Sequence, residues 1–187
     1  MQKIEPPRLE DVALLAGKFR DDIAALNAAI ADERLPLQVF ETLRSVDRQD
    51  FYFRTGVSRA SGAAGPHCWG LAVDFILIPK HQHWATVKEW PEKNGGGAAW
   101  DTGVVFDGRA CQVRRPKVAA VWQRYGAIAH GLGLTWGGHN AGAWASPHPG
   151  DLFGWDIAHV QAREWRKLIT GHKSPASFVQ AMSASGA

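Results

Sequence analysis

Two short stretches of the chain pair an imidazole with a carboxylate. In PHCWGLAVDF, His67 and Asp74 stand seven residues apart, and in GWDIAHVQ, Asp156 and His159 stand three apart. A catalytic zinc site takes three N or O ligands from the protein and keeps one position open for water; a loop His followed by a strand Asp presents two of them. The third must come from elsewhere. His159 is placed to supply it, because Ile157 to Val160 reads as a short strand that could lie beside the one carrying Asp74. Asp156, just ahead of that strand, would point to the ligand side without having to bind, which suits a general base acting on water. Spacing alone leaves a plainer alternative open. His67 and His159 would then be satisfied core or loop histidines, and Asp74 and Asp156 caps or ion-pair partners.

The elements that must position these groups are legible in outline. Leu71 to Ile78 (LAVDFILI) is β-branched and apolar on both faces apart from Asp74, so a central strand buried on both sides is expected. Burying an unpaired ion costs several kcal/mol, so Asp74 should meet a cation, a metal or a set of donors. Upstream, Leu9, Val12, Ala16, Phe19, Ile23, Leu26 and Ile30 recur in steps of three and four, which predicts one or two amphipathic helices within 1–34, with a break near Gly17. Pro36 is expected to end that run. Leu37 to Thr42 alternates like a short strand with Leu37, Val39 and Glu41 on one face, and Asp47 is the expected cap of a helix to about Arg54. Thr55 to Pro66 is a Gly/Ser/Ala loop.

Further on, Pro79 to Pro116 is irregular, with His81, His83, Gly95 to Gly97, Trp84, Trp90 and Trp100, and is expected as a long surface excursion serving as a flap or lid. Val118 to Leu132 restores helical spacing, with Pro116 near its first turn and Gly131 or Gly133 near its end. Trp136 to Gly154 is another Gly/Pro/Trp loop, Glu164 to Ile169 a closing helix, and the tail 173–187 is expected to fray.

The 187 residues are 45% hydrophobic and 21% charged, the balance of one ordinary soluble domain, large enough to bury roughly 70% of its unfolded surface. No apolar run reaches the ~18 residues of a membrane span, and the polar start MQKIEPPRLEDV is unlike a signal peptide, so synthesis in the cytoplasm is expected. Cys68 and Cys111 are too few for a disulfide scaffold, and whether they pair stays open. The net charge of +3 favours an anionic partner without naming one.

The stretch ETLRSVDRQDFYFRTGVSRASGAAGPHCWGLAVDF resembles the zinc peptidases that cut bacterial cell-wall peptides: the D-Ala-D-Ala carboxypeptidases and dipeptidases, including the vancomycin-resistance ones, and the L-alanyl-D-glutamate endopeptidases found among phage endolysins. The matching residues run in order through Arg44, Gln49, Gly56, His67, Gly70, Ala72, Asp74, Trp136, Gly137, Gly138, Asp156 and His159. The resemblance covers about Leu35 to Val160. It implies an α+β fold of the Hedgehog type, with helices on one face of a small antiparallel sheet and a Zn2+ site across it. It also implies His67, Asp74 and His159 as zinc ligands, Asp156 as the base, and Arg44 as the residue steadying the substrate carbonyl when it becomes an oxyanion. Gln49, Trp69, Trp136 and His139 are the expected substrate contacts. A Ser often found two positions before the first His is Gly65 here, the Pro79 to Pro116 stretch is longer than the family minimum, and the Trp136 loop adds His139 and His148.

The resemblance further implies a peptidase acting on the peptidoglycan stem peptide in the cell wall or periplasm, expected here as an L-alanyl-D-glutamate endopeptidase. A monomer is expected, and the polar start is compatible with holin-dependent release to the wall. The rivals are a D-Ala-D-Ala carboxypeptidase or dipeptidase, and an inactive zinc-containing cell-wall binding module; nucleic-acid binding is not expected. Among the remaining candidates, His81 and His83 are expected in an exposed loop, and Cys68 as a small buried side chain without a base. Arg109, Arg114, Arg115 and Lys117 are expected on a solvated face. Of Trp69, Trp84, Trp90, Trp100, Trp144 and Trp155, half are expected as core or lid and the rest as platforms for a peptide or sugar.

Overall fold

A helical stripe, a buried strand and a closing His-bearing strand translate into a definite chain path. The computed structural model describes residues 4–93, 97–106, 111–148 and 150–184; Gly95, Gly96 and Arg109, singled out above, lie outside them. Helix α1 (Gly17–Asp32) leads to strand β1 (Leu37–Glu41), helix α2 (Val46–Arg54), strand β2 (Ala72–Leu77) and helix α3 (Gln82–Val87). Strands β3 (Val104–Phe106) and β4 (Cys111–Val113) precede helix α4 (Pro116–Gly131), strands β5 (Thr135–Trp136) and β6 (His159–Gln161), and helices α5 (Trp165–Leu168) and α6 (Pro175–Ala184). The architecture is α+β. One sheet has the order β1-β2-β6-β5, and β3 pairs with β4 as an antiparallel hairpin.

Local chemistry sets most of the boundaries. A 3-10 turn at Val12–Leu14 is capped by Asp11, whose carboxylate accepts from the Ala13 N–H, and the break before α1 falls just ahead of Gly17, at φ +41°. Helix α1 stops at Asp32, before Pro36 is reached. Leu35 N–H donates to the Ile30 carbonyl and Arg34 N–H to that of Ala31, the paired bonds of a left-handed helix terminus, here with Arg34 at φ +53° where glycine is usual. The cap of α2 is Ser45 and not Asp47: the Ser45 hydroxyl accepts from the Arg48 N–H at 3.2 Å, while Asp47 sits in the first turn, where its charge still complements the helix dipole. Strand β6 starts two residues later than expected, because a turn closed by His159 N–H on the Asp156 carbonyl precedes it.

Two units divide the chain. One comprises Met1–Ala24, Val39–Asp74 and Gln161–Ala187, the other Ala25–Gln38 and Phe75–Val160. The borders fall inside α1, β1, β2 and β6.

The first unit is built on Leu15, Phe19, Ile23, Trp69, Leu71, Val73 and Phe178, all buried. Here the tail departs from expectation, since α6 is ordered and seats Phe178 edge-on to Trp69 at 5.8 Å between ring centres. An aromatic ring that can be removed from water outweighs a Ser/Ala-rich context. Helix α5 is shorter than expected, because Glu164 at φ +52° breaks the chain direction just before Trp165.

The second unit packs Phe75, Leu77, Trp84, Trp122 and Tyr125. The Pro79 to Pro116 stretch is not a simple surface excursion. Its Trp84 and Asp101 are fully buried, Trp84 donates from its indole N–H to the Ile78 carbonyl, and Trp122 of α4 donates to the carbonyl of Asp101. Arg115, expected on a solvated face with Arg114 and Lys117, is bidentate to the Asp101 carboxylate and closes this stretch onto the start of α4. Gly126 of α4 and Gly138 make room for the Trp136 ring, which a β-carbon at either position would approach to 2.2 Å.

Replacing Phe178 with Ala should cost about 3–5 kcal/mol, the usual range for a buried Phe. Urea unfolding measures it, and an unchanged midpoint would remove α6 from the core of the first unit.

Candidate metal centre

Strands β2 and β6 carry two members of the centre. Phe75 N–H donates to the Ala158 carbonyl and Ala162 N–H to that of Leu71, each at 2.9 Å. Asp74 stands one residue before Phe75 on β2, and His159 one residue after Ala158 at the start of β6. One ligand atom each from His67, Asp74 and His159 lies within 4.8 Å of the other two, a grouping that could hold a metal ion.

His67 reaches this point from a 3-10 turn, Pro66–Trp69, closed by Gly70 at φ +63°, where a β-carbon would press on the backbone of residues 14–16. Its Nδ1 is 2.9 Å from the Thr42 carbonyl, which can only accept, so Nδ1 carries a proton. In neutral imidazole Nε2 then presents a lone pair. Yet Nε2 faces Asp74 Oδ1 at 3.2 Å, acceptor against acceptor, and the contact needs a proton or a cation between them. Tetrahedral zinc with bonds of about 2.0–2.1 Å separates two ligands by about 3.3 Å, so the His67–Asp74 spacing of 3.2 Å matches such an ion, and two imidazoles with one carboxylate are donors of the type it takes.

Asp74 has a second support. Arg44 Nη2 donates to Asp74 Oδ2 at 3.0 Å, Arg44 Nε to Glu41 Oε2 at 2.9 Å, and Arg44 Nη1 to Gln49 Oε1 at 3.0 Å. Glu41, fully buried, also accepts from Nε of Arg48. Burial alone would lower the Arg44 pKa, but Asp74 and then Glu41 more than offset it and hold the guanidinium above its ordinary value. Tyr52 lies under both guanidinium groups and is pushed up to about 12, by burial first and by Glu41 second.

The other expected site residues fall into different settings. His159 is buried and packs against Trp144, ring centres 5.2 Å apart; Trp144 in turn packs on Trp155. Asp156 is half-buried at the turn leading into β6, its N–H directed to the Gly137 carbonyl at 3.4 Å. Gln49 is buried, and its amide N–H groups donate to Ser58 Oγ and the Ala60 carbonyl. A β-carbon on Gly65 would lie 3.1 Å from the Gln49 amide oxygen, so that amide occupies the space a side chain would need. Trp69 is buried with its N–H on the Ala63 carbonyl, and Trp136 is half-buried with its N–H on the Ile157 carbonyl. His139 is exposed. Sequence reasoning did not assign Glu41, Arg48 or the Thr42 carbonyl to the centre; the available signal was a carboxylate on the buried face of β1, three residues before Arg44.

His81 and His83 do not form an exposed loop pair. His81 caps α3, its Nδ1 accepting from the His83 N–H at 3.1 Å, and burial with the neighbouring His81 lowers the His83 pKa. His148 stacks on Phe106 at 3.9 Å. Cys68 and Cys111 are both free thiols.

No family model matches the chain. Among curated proteins, a peptidoglycan L-alanyl-D-glutamate endopeptidase, CwlK of Bacillus subtilis (strain 168), is 29% identical over 121 residues, which make up 61% of this chain and 59% of that protein. The chain is similar to a peptidoglycan endopeptidase. It spans well under two thirds of the length of that relative. Among solved structures, the Serratia marcescens L-Ala D-Glu endopeptidase ChiX aligns with a TM-score of 0.48 and 20% identity, covering 89% of this chain and 96% of that one.

Burial raises the Cys68 thiol to about 11, and it donates weakly to the Gly62 carbonyl. At pH 8 an alkylating reagent should therefore modify Cys111 and spare Cys68 until the protein is unfolded in urea. Equal native rates, read by peptide mass spectrometry, would contradict a buried, neutral Cys68.

Proposed function

We propose that the chain is a metal-dependent peptidase hydrolysing an amide bond of peptidoglycan stem peptides, with the bond between L-alanine and D-glutamate as its target. The observation that carries this is the His67–Asp74–His159 grouping, in which one imidazole tautomer is fixed by a backbone carbonyl and its free nitrogen meets a strand carboxylate. The similarity to CwlK supports the substrate class.

His67, Asp74 and His159 would hold the ion, and zinc suits two imidazoles with one carboxylate. A divalent ion held there supplies Lewis acidity to the scissile carbonyl and lowers the pKa of water towards ~7. Asp156 takes the proton of the attacking water and returns it to the departing amine, which needs a carboxylate beside the ligand cluster and outside it. The Thr42 carbonyl keeps the His67 proton on Nδ1, so that Nε2 stays available as a donor. Trp144, packed on the His159 ring, restricts its rotation and shields it from solvent.

Among the described residues no helix is long and apolar enough to cross a membrane. Access to the wall is proposed to come through release of the folded protein, by a holin where the host is lysed.

Purified muropeptides incubated with the protein should lose the stem peptide after L-alanine, seen by mass spectrometry. Loss of terminal D-alanine alone would instead assign a carboxypeptidase. Asp156→Ala should lower turnover by about 10²–10⁴-fold, the usual contribution of a positioned base, while zinc content measured by metal analysis stays at the wild-type level. A chelator should abolish activity and added zinc restore it; activity indifferent to chelator would overturn the metal-dependent mechanism.

A further inference from the structure

The sequence resemblance assigns Arg44 to the substrate oxyanion, but its surroundings suggest another task. Of the five N–H donors on a guanidinium, four are engaged here, two with Glu41, one with Gln49 and one with Asp74. The residue is only 8% exposed. Its backbone is committed as well, since Arg44 N–H donates to the His67 carbonyl at 3.2 Å, two residues beyond the Thr42 carbonyl that takes the His67 ring proton. Segment 42–44 thus grips the first ligand by ring and by main chain and the second ligand through a guanidinium.

We infer that Arg44 is a positioning residue for the metal ligand Asp74, and that buried Glu41 is the counter-charge which lets it act without weakening that ligand. This rests on the metal-site reading proposed above.

Two features support the assignment. By occupying Oδ2 of Asp74, Arg44 leaves Oδ1 as the oxygen turned to His67 Nε2, so the carboxylate presents one defined oxygen to the ion. A guanidinium left to itself would also draw charge from Asp74 and make it a poorer donor. Glu41 prevents this by taking two of the Arg44 bonds, and its other oxygen takes Arg48, so that Glu41 and Asp74 balance Arg44 and Arg48 in one buried set. Partners that orient metal ligands in this way typically affect metal affinity 10–100-fold when removed.

The test measures metal binding apart from turnover. Zinc affinity of the full chain is read by competition with a chromophoric chelator, and ligand geometry by the visible spectrum of the cobalt-substituted protein. Arg44→Lys keeps the charge and loses the fork; Glu41→Gln keeps the shape and loses the counter-charge. Both are compared with wild type after circular dichroism establishes that the metal-free proteins are folded. Each should bind zinc roughly 10–100-fold more weakly and show an altered cobalt spectrum. If a folded Arg44→Lys protein keeps wild-type zinc affinity and cobalt spectrum and loses only turnover, Arg44 serves the substrate and the inference is overturned. Wild-type affinity in Glu41→Gln overturns the counter-charge role. Wild-type protein that takes up no metal would instead overturn the metal-site reading itself.

Discussion

A carboxylate in the middle of a buried strand must be compensated, and much of the first unit is arranged around that requirement. Asp74 is flanked on β2 by Val73 and Phe75, which are fully buried. Neither neighbour can hydrate it. Compensation comes from the guanidinium of Arg44 at 3.0 Å, while the imidazole of His67 faces the other oxygen at 3.2 Å across a contact that takes a proton or a cation. Each needs support of its own, because a buried guanidinium is as costly as a buried carboxylate. Glu41 supplies it for Arg44, and the Thr42 carbonyl fixes the tautomer of His67. Residues 41, 42 and 44, at the end of β1 and just beyond it, therefore serve both partners of Asp74. Thr42 is itself tied to the amino-terminal segment, its N–H and hydroxyl both directed to the Leu9 carbonyl.

This layout explains what the sequence could and could not disclose. The apolar run around Asp74 announces a central strand whose single ion needs a partner, because period and composition are local properties. His67 and His159 were legible as ligand candidates for the same reason: each stands beside a carboxylate at short spacing. The identity of the Asp74 partner was not legible. Arg44 lies thirty residues upstream, and only the pairing of β1 with β2 brings it near. Glu41 was grouped with Leu37 and Val39 on one face of β1, yet alternation says which side chains share a face and nothing about the charge they will meet. Gln49 shows the converse. The resemblance offered it as a substrate contact, whereas its side-chain amide bonds Arg44, Ser58 and Ala60, which makes it a tie between α2 and the loop leading to His67.

The two segments that defied composition did so through single buried anchors. Pro79 to Pro116 looked like an excursion because it is rich in Gly and polar residues, but Trp84 and the Asp101–Arg115 pair hold it to the second unit. Asp101 is satisfied four times over, by two Arg115 nitrogens and by the N–H groups of Glu92 and Gly103. The carboxyl-terminal stretch looked frayed because Ser and Ala dominate it, but one Phe at position 178 is enough to seat α6 on Trp69. Average composition predicts the average behaviour of a segment. A single large side chain that finds a site can reverse it, since burying one aromatic ring contributes as much as several weak propensities cost together.

The same logic bears on the indoles. Nine Trp in a chain of this length suggested platforms for ligand, yet Trp69, Trp84, Trp122 and Trp136 each direct the indole N–H to a backbone carbonyl. An indole anchored at its polar end is held in one orientation by that bond. Trp155 is anchored likewise, on the Ala143 carbonyl. Trp144 and Trp155 are half-buried and packed on one another, and Trp144 also packs on the His159 ring. They stand on the loop between β5 and β6, and the Trp144 ring lies against the buried His159 imidazole. Apolar cover of this kind keeps bulk water from a polar side chain and lowers the local dielectric, which strengthens the charge interactions that side chain makes.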